Sequence, residues 1–230
     1  MTSLPYRSAL IVGAGSGISA SVARALAAQG IKVGLAARNT EKLAALATET
    51  GAATFTVDAA DPAAVAGLFE AADARIGEPD IVIYNASGRL RGPIAELDPA
   101  GVAQSLAVTV YGAFLVTQQA ARRMLPHGRG AILLTGATAG IKGFALSAPF
   151  AMGKFALRGL AQSAAREFGP KGIHVAHFVI DGAVRSTRHP DTDDNTLDPD
   201  AIAQSYLDVL RQPRSAWSLE VELRPWVESF

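Results

Sequence analysis

The feature that most constrains this chain is an alternation. Short β-type runs ("ALIV", "KVGLA", "ATFTV", "DIVIY", "AILLT", "HVAHFV" and "LEVEL") are separated by alanine-rich stretches of helical periodicity at 17–30, 40–50, 62–75, 100–125, 150–168 and 199–211. Strand–helix alternation of this kind builds a parallel sheet with helices covering both faces. The expected fold class is therefore α/β, a single doubly wound parallel sheet in one domain spanning 1–230. No linker, repeat or low-complexity tract divides it. One segment, "RSTRHPDTDDNTLDPD" at 185–200, is long and polar. Loops of that length inside a compact domain are usually lids or binding loops.

Composition narrows the functions. At 49% hydrophobic and 18% charged, the chain has ample core material and little solvating charge, which favours a compact protein with buried subunit surfaces over a disordered one. Lys+Arg and Asp+Glu balance at 21 each, so no nucleic-acid partner is expected. The absence of cysteine excludes disulfides, thiol nucleophiles and cysteine-ligated metals. Pro99–Ala121 carries no charge but includes Gln104, Gln118 and Gln119, which suits a helix buried in a soluble core better than a membrane span. The start, "YRSALIVGAGSGISASVARA", mimics a signal peptide. Its close-set glycines and Arg24 argue instead for the first β-turn-α unit of a cytoplasmic protein.

That first turn, "IVGAGSGIS", sets Gly13, Gly15 and Gly17 between a strand and a helix. Glycines let backbone approach a pyrophosphate facing the positive end of the helix dipole. Methyltransferases use a similar turn, and a tight turn alone also calls for glycine. Strand two ends in "LAARN", offering Arg38 where an acidic residue would bind free ribose hydroxyls. A guanidinium there suits a 2′-phosphate, or is a solvated loop arginine.

Several motifs in order resemble the short-chain dehydrogenase/reductase family, a Rossmann-fold family, over nearly the full length. "GAGSGIS" resembles TGxxxGxG, with Val12 for the threonine and Ser19 for the last glycine. "VDAAD" resembles the segment whose aspartate, here Asp58, contacts adenine. "YNASG" resembles NNAG, with Asn85 and Ala86 matching and Tyr84 and Ser87 departing. "IDGAVRS" resembles the PG-x-V-x-T segment near the nicotinamide, with Asp181 for proline and Ser186 for threonine. The resemblance implies a nicotinamide cofactor, NADP(H) in preference to NAD(H) given Arg38. The implied binding set is Gly13, Gly15, Ser16, Gly17, Ile18, Arg38, Asp58, Ala59, Asn85, Ala86, Lys154, Gly182, Val184 and Ser186. The implied substrate is a small molecule, a carbonyl or an alcohol.

The reactive helix departs from the family. Its Tyr-x-x-x-Lys places both side chains on one helix face, the tyrosine moving a proton and the lysine lowering its pKa while holding the ribose. Here "FAMGK" keeps Lys154 and sets Phe150 at the tyrosine position. Ala137 in "GATAG" stands at the catalytic serine, and Thr109 in "TVYG" at the asparagine. Loss of a positioned acid costs a rate factor on the order of 10² to 10⁴.

Possible substitutes are Thr138, Ser147, Asp181 and Lys154 itself, which sheds a proton readily if buried. His174 and His177 are three apart, so in a strand they face opposite ways and cannot share a metal; His177 reads as a hydrogen-bonded core residue. His189, with Arg185 and Arg188, lies on the polar loop, where solvation is expected rather than contact with an anionic substrate. Two readings stay open: an NADP(H)-dependent oxidoreductase with a modified proton relay, and an inactive NADP(H)-binding sensor or scaffold. A halohydrin dehalogenase-like reading is set aside, because that offshoot keeps Ser and Tyr and fills the nucleotide site. The long helices 100–125 and 150–168 resemble those that form four-helix subunit contacts in the family and are low in charge, which implies a homodimer or homotetramer, and "WSLEVELRPWVESF" offers a further surface to cover.

Overall fold

In a computed structural model, which describes residues 4–228, the apolar runs form β1 (Ser8–Val12), β2 (Lys32–Ala37), β3 (Ala53–Thr56), β4 (Ile81–Tyr84), β5 (Gly130–Thr135), β6 (Ile173–Ile180) and β7 (Glu220–Leu223). They form one parallel sheet in the order β3-β2-β1-β4-β5-β6-β7. Strands β1, β4, β5 and β6 are buried at every residue. Both faces of these strands are covered, so they read as unbroken apolar runs rather than alternating ones.

The helices are α1 (Ile18–Ala28), α2 (Ala44–Thr50), α3 (Pro62–Ile76), α4 (Pro99–Leu106), α5 (Gly112–Met124), α6 (Ala148–Phe168) and α7 (Pro199–Arg211). Ala9 and Ile11 of β1 pack in a cluster with α1, α2 and α7. Leu10 and Val12 point the other way, into a cluster with α3, α5 and α6, as a two-residue period requires. Helix starts are set locally. Asp61 and Asp98 each precede a proline, and their carboxylates accept the first free N–H groups of α3 and α4.

A π-helical turn, Ala107–Tyr111, joins α4 to α5. Such a turn leaves carbonyls off the regular ladder, and the buried Tyr84 hydroxyl donates to one of them, Val108 O. Gly112 makes this approach possible, since a Cβ there would lie 2.5 Å from the Tyr84 oxygen and 2.6 Å from Ala59 O.

The run Pro99–His127 is long and apolar enough to cross a membrane by length and composition. In the fold it packs on α3 and α6. The expected burial holds for one side only, because Tyr111 and Phe114 stay 45% and 44% exposed. The C-terminal expectation also divides. Trp217 stacks on His174 with centroids 4.7 Å apart, whereas Trp226 is 79% exposed and residues 229–230 lie outside the described residues.

Strand β1 lies between β2 and β4, so the connections leave it in opposite directions. The crevice at the carboxyl ends of β1 and β4 is where open α/β sheets bind ligands.

Candidate active site

The turn after β1 forms one wall of that crevice. Gly13 has φ +85°, and a Cβ there would strike Ala86 N at 2.2 Å, so only glycine fits. Gly15 and Gly17 have no foreign atom within 4 Å of a built Cβ, which leaves an open cradle above them. No side chain caps α1 at Gly17, so its first N–H groups face that space, as an anion site requires. Asn85 at the end of β4 donates to Ser19 Oγ at 2.7 Å, and Ser19 Oγ donates to Gly13 O at 3.2 Å, fixing the turn to the neighbouring strand.

Two cavities open from this crevice. One, of about 580 Å³, is lined by Gly13, Arg38, Asp58, Ala59, Asn85 and Ala86 among others. The second, of about 560 Å³, is lined by Ile18, Lys154, Gly182 and Val184 together with Phe150 and Ala137. They share Asn85 and Ser87, so they form one trough across the sheet end. The open glycine cradle and this trough fit an extended dinucleotide. The nucleoside end would lie against Arg38 and Asp58, and the nicotinamide end beside Lys154 and Gly182.

Many of the expected residues therefore come together; Gly15, Ser16 and Gly17 belong to the turn beside the trough and line neither cavity, and Thr109 and Ser186 are engaged elsewhere. Thr109 is fully buried and lines neither cavity. Its hydroxyl accepts from Gly88 N at 2.9 Å and donates to Ser105 O at 2.8 Å. Its methyl faces Gly153, where a Cβ would sit 2.9 Å away. Ser186 also lines neither cavity; it is folded into a local turn with His189, exchanging backbone bonds of 2.9 and 3.1 Å.

The polar candidates sort similarly. Asp181 is buried and paired with Arg224 at 3.1 Å, away from both cavities. Ser147 occupies the α6 N-cap position without making a capping bond, and its residue lines the second cavity. Thr138 lines it too. The polar loop is partly pinned, through Arg185–Asp198 at 2.7 Å and a bridge between Val184 and Leu197. His189 on that loop is exposed, as expected, and also borders the second cavity.

Lys154 is 4% exposed, and its one hydrogen bond among the described residues goes to Thr135 O at 2.7 Å. Burial first, and the positive charge of Arg89 second, pull its pKa from 10.5 down to about 7. The ring of Phe150 carries a cation near each end of the site, with Arg89 4.8 Å and Lys154 5.7 Å from its centroid. Deeper in the sheet, His177 Nδ1–H donates to Glu220 at 3.0 Å, and Glu220 takes both arms of Arg158 at 2.7 and 2.6 Å. Burial lowers the pKa of His177 despite that carboxylate.

Sequence reasoning missed Arg89 and Arg91, both on the second cavity. The available signal was the pair of arginines in "GRLRG", directly beyond the carboxyl end of β4. It also missed the role of Tyr84, whose departure from the family motif serves the π-turn.

Sheet order, glycine turn and trough together define a doubly wound, Rossmann-type dinucleotide-binding fold. The sequence matches the short chain dehydrogenase family over residues 7–195. An uncharacterised oxidoreductase of Staphylococcus aureus is 29% identical over 231 residues, covering 98% of this chain and 100% of that protein. A solved short-chain dehydrogenase from Rhodopseudomonas palustris is 36% identical with a TM-score of 0.82, covering 96% of this chain and 99% of that one. A metagenomic short-chain oxidoreductase solved in complex with NADP is 29% identical with a TM-score of 0.86, covering 98% and 100%. The chain belongs to the short-chain dehydrogenase/reductase family, whose members are NAD(P)-dependent oxidoreductases.

Proposed function

We propose that this protein is an NADP(H)-dependent oxidoreductase that interconverts a small carbonyl compound and its alcohol through a non-standard proton relay. The observation that carries the reading is the trough itself. An open glycine cradle and Arg38 lie at one end, and a buried Lys154 stripped of neighbouring phenol lies at the other. A nicotinamide held there would supply the hydride-transfer chemistry. Gly13, Gly15, Ser16, Gly17 and Ile18 receive the phosphates and the adjoining ribose, while Asp58, Ala59, Asn85 and Ala86 line the nucleoside side. Gly182, Val184 and Lys154 bound the nicotinamide end, and Ser186 acts only by shaping its loop.

Neither Phe150 nor Ala137 can donate a proton. Lys154, with its pKa near 7 and N–H groups to spare beyond Thr135, holds and delivers it in their place. The absence of both hydroxyls also favours a second reading, an NADP(H)-binding sensor or scaffold with no turnover. The exposed Tyr111, Phe114, Met152 and Phe155 on α5, α6 and the turn before α5 support a homodimer or homotetramer built through that face.

Dissociation constants for NADPH and NADH, in wild type and Arg38→Ala, test the cofactor assignment. A charge-assisted contact to the 2′-phosphate contributes roughly 1.5–3 kcal/mol, so NADPH should bind about tenfold or more tightly than NADH. Arg38→Ala should erase the difference. Equal wild-type affinities would refute it. Consumption of NADPH across a carbonyl panel then separates enzyme from sensor.

A further inference from the structure

The second cavity has charge of one sign. Arg89, Arg91 and Lys154 line it, His189 stands with them, and no carboxylate among the described residues does. The chain as a whole carries 21 basic and 21 acidic residues, so this is a local concentration rather than general basicity. Elsewhere Arg24, Arg123, Arg158 and Arg185 each meet a carboxylate at 2.6–2.7 Å. Arg89 and Arg91 meet none among the described residues; the one partner of Arg89 is the Phe150 ring.

Their backbone is held in place. The loop is tied at one end by Gly88 N to Thr109 Oγ1 at 2.9 Å, and at the other by Gly92 N to Leu146 O at 3.1 Å. At Gly88 a Cβ would fall 2.5 Å from Ser105 Cα, so the chain there is pressed against α4. Two guanidinium groups are thus presented at the cavity from a fixed segment. A planar fork of this kind matches carboxylate and phosphate oxygens. On the proposed reading the cofactor has its own partners, the glycine turn and Arg38, and neither Arg89 nor Arg91 lines the cavity that Gly13 and Arg38 share. The aromatic face at Phe150 has a use of its own as a platform for Arg89.

We propose that the ligand of this cavity is a small organic anion, a carboxylate or phosphate ester, whose charged group is held by Arg89 and Arg91 with its reacting carbon toward Lys154. The proposal rests on reading the second cavity as the substrate end of the trough.

Calorimetric titration tests it without turnover. The protein is loaded with NADP+, which cannot reduce a ketone, and the same titrations are run without cofactor. Two pairs of probes differ chiefly in the anion: acetoacetate against methyl acetoacetate, and dihydroxyacetone phosphate against dihydroxyacetone. The charged member of at least one pair should bind about tenfold or more tightly than its neutral partner, and the margin should shrink with added salt. Arg89→Gln and Arg91→Gln should each remove most of that margin, and Arg91→Lys should restore part of it. NADP+ affinity should stay within twofold in all three variants.

The proposal is overturned if both neutral members bind as well as the charged ones, or if neither charged member saturates. It is also overturned if the glutamine variants lose NADP+ in step with the anion, for then the arginines serve the cofactor. Anion binding without turnover on any carbonyl would sink the enzymatic reading and leave the anion site of Arg89 and Arg91 standing. Turnover of neutral ketones with no anion preference would do the reverse.

Discussion

Replacing Lys154 by methionine should make the protein more stable. The lysine is a buried cation with one hydrogen bond and no carboxylate partner among the described residues. Its pKa falls from 10.5 unfolded to about 7 folded, a penalty of about 3–5 kcal/mol at neutral pH and below. The folded value lies below the unfolded one, so the unfolded chain binds more protons between these limits. Wild-type stability therefore rises with pH from about 7 to about 10.5, and the penalty is constant below that window.

Lys154→Met lacks the term, fills a similar volume and forfeits a hydrogen bond contributing about 1 kcal/mol. The net gain at pH 6.5–7 is about 2–4 kcal/mol, or roughly 5–15 °C in Tm for a chain of this size. Urea unfolding of both proteins at intervals from pH 6.5 to 9.5 measures it, and the gap should narrow steadily toward the alkaline end. A less stable variant, or a gap independent of pH, would show that Lys154 is paired in the folded protein and titrates as an ordinary lysine. The same change should abolish turnover, since it removes the proton carrier.

Ordinary ketone reduction by wild type should be absent or very weak, and Phe150→Tyr with Ala137→Ser should raise it by more than the two single changes combined, because the serine orients the oxygen that the tyrosine protonates. Robust wild-type turnover unchanged by Phe150→Tyr would leave the proton with Lys154 or another group already in the site, and an inactive double variant that still binds NADPH would favour the sensor. Light scattering at micromolar concentration should show an oligomer that Phe155→Glu dissociates; a wild-type monomer would refute the reading of the exposed face. Thr109→Val should cost about 1–3 kcal/mol in urea unfolding, because it leaves the half-buried Gly88 N–H without its acceptor. A loss of NADPH affinity greater than this instability explains would return Thr109 to the site.

The fold was readable from the sequence because its signals are local. Buried parallel strands are continuous apolar runs, the helices between them keep their own period, and Asp61 and Asp98 start α3 and α4 from within two residues. The glycine turn was nearly as accessible, since Gly13, Gly15 and Gly17 lie close together in sequence. The second cavity was not. Arg89, Arg91, Phe150 and His189 come from three separate segments, and nothing in any one segment states that the others face it. The family resemblance set Thr109 at a catalytic position, yet only packing shows its hydroxyl engaged by Gly88 and Ser105.

Lys154 also bears on the choice between a ligand-binding protein and a bare scaffold. Its ammonium supports no packing that a methionine would not supply, and its bond to Thr135 O recovers only a fraction of the burial cost. A scaffold with an empty trough gains nothing from a group that lowers stability by several kcal/mol. A protein that places hydroxyls of a ligand beside that ammonium does gain, because the missing hydrogen bonds are completed only when the ligand arrives. The enzyme and the sensor both meet this condition and the bare scaffold does not. NADPH should therefore narrow the stability gap between wild type and Lys154→Met by binding the wild type more tightly. A gap that saturating NADPH leaves unchanged would remove Lys154 from the cofactor contact and, with it, the main reason to place the nicotinamide end there.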